Sequence, residues 1–241
     1  AIAAEAMNTS GGARYHQALG RTLGRAGPAP PGCWKVAMGA QRSRGAGGGP
    51  RGGAARHNAG MDSLRGQLLI AGPLLEDPNF RRSVVLIAEH GEGGAMGLIL
   101  NRPSETAVEE AAPELGEVAD PQGIIFEGGP VQPTAVVVLA EFDAPAEAAA
   151  VVLEDIGFLS AGSDLADAAG VTRRSRVFAG YAGWGPGQLE SELERDDWIV
   201  TPARREEIFS DDPARLWPAV LEGRGGQYAL LARMPDDPSV N

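Results

Sequence analysis

Cysteine is nearly absent. The 241 residues contain one thiol, Cys33, so residues 61–241 hold neither a disulfide nor a thiolate metal site. Lysine is equally scarce, with Lys35 alone. A stretch without lysine lacks the usual charge donor of a phosphate loop and much of what proteins exchange for counterions on nucleic acid. His90 is the only histidine beyond residue 60, which excludes a multi-histidine metal site there. The longest strongly apolar run, "TAVVVLA" at 134–140, falls far short of the ~20 residues that a spanning helix needs. The expectation is a soluble, cytoplasmic protein with no membrane span, no metal and no cofactor.

What is present is unevenly spread. Residues 1–60 carry eight basic residues against the single acid Glu5, leaving 13 basic and 31 acidic residues, a charge of −18, for residues 61–241. The first segment is rich in Gly, Ala and Arg, as in "RSRGAGGGPRGGAAR" at 42–56, and shows no apolar period long enough to bury a face. It reads as a disordered tail or a mistranslated upstream region with the true start at Met61; a transit segment fits less well, because Gly and Ala rather than Ser dominate. Residues 61–241 are enough for one domain, burying roughly 70% of the unfolded surface around one core.

Within that domain the apolar runs are short and punctuated. "GQLLIAGPLL" (66–75) predicts a strand entering a loop at Gly72 and Pro73, and "RSVVLIAEH" and "AMGLILN" flank "GEGG" as a hairpin. Ser104 stands as an N-cap ahead of "ETAVEEA". "GIIFEGGPV" (123–131) and "TAVVVLAEF" (134–142) predict a second hairpin, and "SDLADAA" (163–169) a short helix that Gly170 closes. "SRVFAGYAG" (175–183) and "DWIVTP" (197–202) read as strands around a helix at 186–195, followed by helices near 203–209 and 213–222, the last capped by Asp212 with Pro213 at its first position. Grouped strands with helices clustered late predict an α+β fold: one compact domain with a curved, mostly antiparallel sheet packed by helices.

"YAGWGPGQLESEL" (181–193) poses the functional question. A phosphate loop needs converging N–H donors and a cation, but Pro186 removes a donor and Glu190, Glu192 and Glu194 follow at once. A sharp strand-to-helix turn is the better account: glycines supply unusual backbone, Leu189 and Leu193 bury one helical face, and burying Trp184 is worth up to roughly 6 kcal/mol. Tyr181, Trp184, Gln188 and Glu190 also make a rigid aromatic and polar rim able to orient a ligand or a partner backbone.

These motifs resemble the signature of the AlgH/YqgE family of bacterial proteins. "GYAGWGPGQLESEL" with Trp198 shortly after, "GQLLIAGPLLEDPNFRRSVVLIAEH", "GAMGLILNRP", "GGPV" and a terminal "PDDPSVN" occur in the family's order, from about Leu64 to Asn241 and nowhere in residues 1–60. The resemblance implies a compact fold with a curved sheet and a groove lined by these motifs. It brings no established activity, although one member is named for regulation of alginate synthesis. Ala140 departs from the family, in which many relatives carry His.

Catalysis needs a nucleophile or a tuned acid and base. Ser83 lacks the glycine flanks of a nucleophile elbow, His90 stands alone, and Asp77, Glu89, Glu127 and Asp237 have no separation readable from sequence. Asn101 and Arg102 at a strand end are better suited to hold a carboxylate or a backbone group bidentately. The function expected is non-catalytic binding or regulation. Its groove, formed by Asn101, Arg102, Gly128, Gly129, Tyr181, Trp184, Gln188 and Glu190, captures an unknown small molecule or protein segment. The alternative is a hydrolase-like enzyme using His90 with a carboxylate. Direct DNA binding ranks third, with Arg173, Arg174 and Arg176 as the local patch that would serve it. Random duplex DNA, titrated near 0.15 M salt with residues 61–241 to avoid the basic tail, is expected to bind more weakly than micromolar; micromolar or tighter binding refutes this.

Overall fold

The computed structural model describes residues 63–119, 123–160 and 162–234. The Gly/Ala/Arg-rich tail and the "PDDPSVN" motif lie outside the described residues. Ten strands follow one another: β1 (Gln67–Ala71), β2 (Val84–Gly91), β3 (Gly94–Ile99), β4 (Pro103–Ala107), β5 (Ile124–Glu127), β6 (Val131–Phe142), β7 (Ala150–Leu153), β8 (Ile156–Phe158), β9 (Thr172–Trp184) and β10 (Trp198–Pro202). Six α-helices accompany them among the described residues: α1 (Val108–Ala111), α2 (Leu165–Val171), α3 (Gln188–Glu194), α4 (Arg205–Ile208), α5 (Leu216–Arg224) and α6 (Gly226–Leu231).

The strands form one sheet in the order β10-β1-β2-β3-β9-β6-β8-β7, with β4 and β5 joined through β9. All pairings are antiparallel except β5 with β9. The sheet is curved: Gly66, just before β1, lies against Val152 and Leu153 of β7, the far edge. It is not closed, since β10 and β7 do not pair.

Both faces are covered, which is why β1 and β2 read as continuous apolar runs rather than alternating ones. Leu68, Ile70 and Leu86 face a core completed by Phe126, Phe178 and residues of α4 and α5, among them Ile208, Trp217 and Leu221. Leu69, Ala71, Val85 and Ile87 point the other way, onto Trp184, Trp198 and Leu189 of α3. A third cluster packs α1 and α2 on Ile125, Val138 and Val177. No helix among the described residues is long and apolar enough to cross a membrane.

Three local expectations need correction, and one hairpin carries no readable sequence signal. Residues 103–107 form β4 and pair with β5, so Ser104 is no N-cap; its hydroxyl accepts from Thr106 N at 3.1 Å and α1 begins later, at Val108. Gly170 lies inside α2 rather than closing it. The β7–β8 hairpin was not foreseen, because its strands have four and three residues and give too little alternation to read.

The third correction concerns β5 and β6, which form no hairpin. They occupy opposite edges of β9, β5 parallel to it and β6 antiparallel. The "GGPV" link therefore crosses β9. A Cβ on Gly128 would run into the Gly180 carbonyl, one on Gly129 into the Tyr181 backbone, and one on Gly180 would stand 2.6 Å from Gly129 O. Gly180 also needs φ +70°. Glycine is required here because two backbones pass in contact. Gly128→Ala is expected to cost about 3 kcal/mol, since the opposing atoms are backbone and have no rotamer to give; chemical denaturation showing less than about 1 kcal/mol contradicts the crossing.

Candidate functional site

In "GYAGWGPGQLESEL" the chain leaves the end of β9 and starts α3 through Gly187 in the left-handed conformation, φ +73°. Tyr181 is buried in the main core and Trp184 is only 4% exposed. Gln188 braces the turn that precedes the helix, its Oε1 accepting from Gly185 N at 3.1 Å and its Nε2 donating to Glu192 Oε1 at 3.0 Å. The other oxygen of Glu192 accepts from the indoles of both Trp184 and Trp198, each at 2.8 Å. The two indole rings meet edge to face at 6.0 Å, and Phe80 stacks on Trp184 at 5.9 Å and meets Trp198 edge-on at 5.5 Å. The motif is thus a helix start built around one carboxylate that satisfies two indole N–H groups.

His90 and a carboxylate do come together. Its Nε2 lies 3.0 Å from Glu190 Oε1, while its Nδ1 accepts from Leu64 N at 3.0 Å. The bond from a backbone donor fixes the tautomer: Nδ1 carries the lone pair and Nε2–H donates to Glu190. The ring is 5% exposed. With both nitrogens engaged, this pair ties the end of β2 and the entry to β1 onto α3, and no lone pair is left for a substrate. Ser83 is fully buried at the other end of β2.

Asn101 and Arg102 hold backbone, and the backbone is the chain's own. The Asn101 amide accepts from Val84 N and donates to Arg82 O, each at 2.8 Å, locking Arg82 in its φ of +53°. Arg102 donates to Pro78 O at 3.2 Å and, at a longer 3.4 Å, to Arg81 O. Burial lowers the Arg102 pKa, with Glu127 and Asp77 opposing the shift. Asp77 also caps its own turn, accepting from Asn79 N at 2.7 Å. Asn101, Arg102 and the Phe80 stack therefore converge on loop 72–83. That loop exposes Leu74 at 88% and opens a cleft of about 440 Å³ lined by Glu76, Pro78, Arg81 and Arg82.

The eight residues expected to line one groove fall into distinct roles. Gly128, Gly129 and Tyr181 belong to the backbone crossing, Trp184 to the aromatic cluster, and Asn101 and Arg102 to the loop clamp; Gln188 is exposed and Glu190 half-buried on α3. The Arg173, Arg174 and Arg176 patch is a set of β9 side chains with local partners. Arg176, 2% exposed, donates to Ile208 O at 3.0 Å and lies 4.5 Å over Phe126, and Arg174 pairs with Asp211 at 3.7 Å.

Sequence reasoning missed the ion network around buried Glu141. Arg205 and Arg173 both bond Glu141, and they reach Asp155 at 2.7 and 2.8 Å. The Arg205 hydrogen bond holds the Asp155 carboxyl below its ordinary range, and the same bond raises the Arg205 pKa. These residues are 64 positions apart in the case of Arg205 and Glu141, and no local pattern signals the contact.

Fold and site together define a class: an α+β protein whose motif residues mostly build a scaffold under one exposed, arginine-bearing loop. The sequence profile of the AlgH-like family (DUF179) matches residues 68–229. The chain belongs to that family. It is 40% identical over 190 residues to a UPF0301 protein of Streptomyces coelicolor, covering 75% of this chain and 97% of that protein. A Thermobifida fusca UPF0301 protein is 41% identical over 190 residues, covering 74% and 96%. The crystal structure of a Corynebacterium diphtheriae protein superposes with a TM-score of 0.65 at 29% identity, covering 70% of this chain and 91% of that one. The solution structure of AlgH from Pseudomonas aeruginosa gives 0.56 at 34% identity, covering 76% and 100%.

Trp184→Ala is expected to cost on the order of 3 to 5 kcal/mol, and Glu192→Ala about 2 to 3, because two indole donors lose their acceptor. Glu192→Gln keeps an acceptor oxygen and stays near 1 kcal/mol, as does exposed Gln188→Ala. Thermal or denaturant unfolding of the four variants checks the order; Glu192→Ala as mild as Gln188→Ala removes the carboxylate from its central place.

Proposed function

We propose that the domain is a non-catalytic binding module that takes a carboxylate-bearing small molecule or protein segment at the cleft of loop 72–83. One observation carries the reading. In a domain of charge −18, a cleft of about 440 Å³ presents the Arg81 guanidinium, a size within the ordinary range of ligand sites, beside Arg82, which is held by Met234 O and the Trp217 ring. The Arg81 guanidinium makes no hydrogen bond or ion pair with the described residues, and Arg102 fixes the carbonyls of Pro78 and Arg81 beneath it. Rigid support under an exposed loop is the usual arrangement of a binding site. Asn101, Arg102, Gly128, Gly129, Tyr181 and Trp184 act as positioning residues for it, while Gln188 and Glu190 serve α3 itself, Gln188 through Glu192 and Glu190 through His90. The regulatory role attached to the AlgH name then works through a captured partner in the cytoplasm rather than through DNA, whose backbone the net charge repels.

A second reading, the hydrolase-like enzyme, draws on the 3.0 Å contact of His90 with Glu190. It is weaker because Leu64 N and Glu190 already engage both ring nitrogens.

A labelled tetrapeptide with two central aspartates and its asparagine counterpart separate the cases. The acidic peptide is expected to bind the full chain at submillimolar concentration, and Arg81→Gln to weaken it at least about fivefold with unfolding unchanged. Equal binding of both peptides, or indifference to Arg81→Gln, overturns the assignment.

A further inference from the structure

We infer that the ligand of the cleft is a zwitterion, with a carboxylate for Arg81 joined through a short link to an ammonium for Glu76. The inference rests on the reading of the cleft as a carboxylate site and names the class of carboxylate it takes. Arg81 is not the only charge in the cleft without a partner: Glu76 lines it too and makes no side-chain hydrogen bond or ion pair with the described residues. The two do not pair with each other. Their neighbours are committed elsewhere. Arg82 is held by Met234 O and the Trp217 ring, while Asp77 turns back to Asn79 N and its charge acts on Arg102. Pro78 brings no charge. The cleft thus offers a ligand one cation and one anion.

Charge decides the class. A plain carboxylate that reaches Arg81 brings a second negative charge into a space of about 440 Å³ already lined by Glu76, and the two repel. An ammonium on the same ligand turns that repulsion into a second ion pair, so Glu76 rejects one class through the contact that selects the other. The domain's charge of −18 acts in the same direction. It repels an anion on approach, whereas a ligand of no net charge meets no such barrier. Both groups stand on loop 72–83, with Pro78 between them in the chain, and Arg102 holds the carbonyls of Pro78 and Arg81. That clamp sets their spacing. The selectivity is modest, because an exposed ion pair is worth up to about fivefold in affinity. A free amino acid with a terminal amine and a protein segment with adjacent Asp and Lys share this chemistry.

The test titrates the full chain with two labelled tetrapeptides blocked at both ends, one with central Asp-Lys and one with central Asp-Asp. Asp-Lys is expected to bind about threefold or more tighter. Glu76→Gln brings the two affinities together, Glu76→Lys inverts their order, and Arg81→Gln weakens both. Unfolding of each variant stays unchanged, because both side chains are exposed. Competition by δ-aminovalerate separates the two sources of the chemistry: displacement at concentrations like those of the Asp-Lys peptide assigns the cleft to a small zwitterion, and displacement only at far higher ones assigns it to a protein segment. Asp-Lys binding no tighter than Asp-Asp, or a preference that Glu76→Gln leaves in place, overturns the zwitterion. If Asp-Asp still binds through Arg81 in that case, the proposed function stands and only the ligand class is wrong. If the binding of neither peptide depends on Arg81, both fail.

Discussion

The structure depends on the contact of two backbones at Gly128, Gly129 and Gly180. At this point β5 stops and the chain crosses β9, and the same residues splice two half-sheets: Gly128 N donates to Ala179 O on β9, while Gly128 O accepts from Ile99 N on β3, each at 2.9 Å. One edge of β9 is thereby shared, parallel β5 along residues 177–179 and antiparallel β3 along 182–184. No side chain fits between strands in contact at their backbones, so the constraint falls wholly on residue type. It also sets the loop region. Glu127 N donates to Arg102 O at 2.8 Å, so the crossing fixes the residue whose guanidinium clamps the carbonyls of loop 72–83.

The aromatic cluster supplies energy where the crossing supplies geometry. Burying an indole is worth up to roughly 6 kcal/mol by area, an upper bound, whereas a hydrogen bond to a charged group contributes about 1.5 to 3 kcal/mol. Apolar burial of Trp184 and Trp198 therefore dominates, and Glu192 prevents the loss that two buried N–H groups without acceptors would bring. Pairing one carboxylate with both rings makes α3 the brace between distant parts of the sheet, since Trp184 pairs with Ala95 on β3 and Trp198 with Ala71 on β1. Phe80 lays the loop against this brace.

The strands with long apolar runs, the β2–β3 hairpin, the Trp184 turn and the Asp212 cap were legible because each is encoded within about ten consecutive residues. The Asp212 side chain does accept from Arg215 N at 3.2 Å, behind Pro213. What was not legible is non-local. "EGGPV" looks like a hairpin turn by composition, and only the placement of β9, some 50 residues on, makes it a crossing. Asn101 and Arg102 were recognised as groups that hold carboxylates or backbone. That the backbone is loop 72–83 follows from a fold contact that no spacing announces. Glu141 sits in a β-strand as an unremarkable acid, and its burial becomes tolerable only through Arg173 and Arg205 arriving from elsewhere.

The arrangement also bears on how an acidic domain takes an anion. Arg173, Arg174, Arg176 and Arg205 are engaged by carboxylates or carbonyls in the β9 and α4 region, so much of the positive charge is compensated locally and the surface keeps the excess of acids. A free anionic ligand approaches against that field, which the salt of a cell screens beyond about 8 Å. Under the proposed function, attraction begins only at contact distance from Arg81, where bidentate geometry rather than long-range steering supplies the affinity.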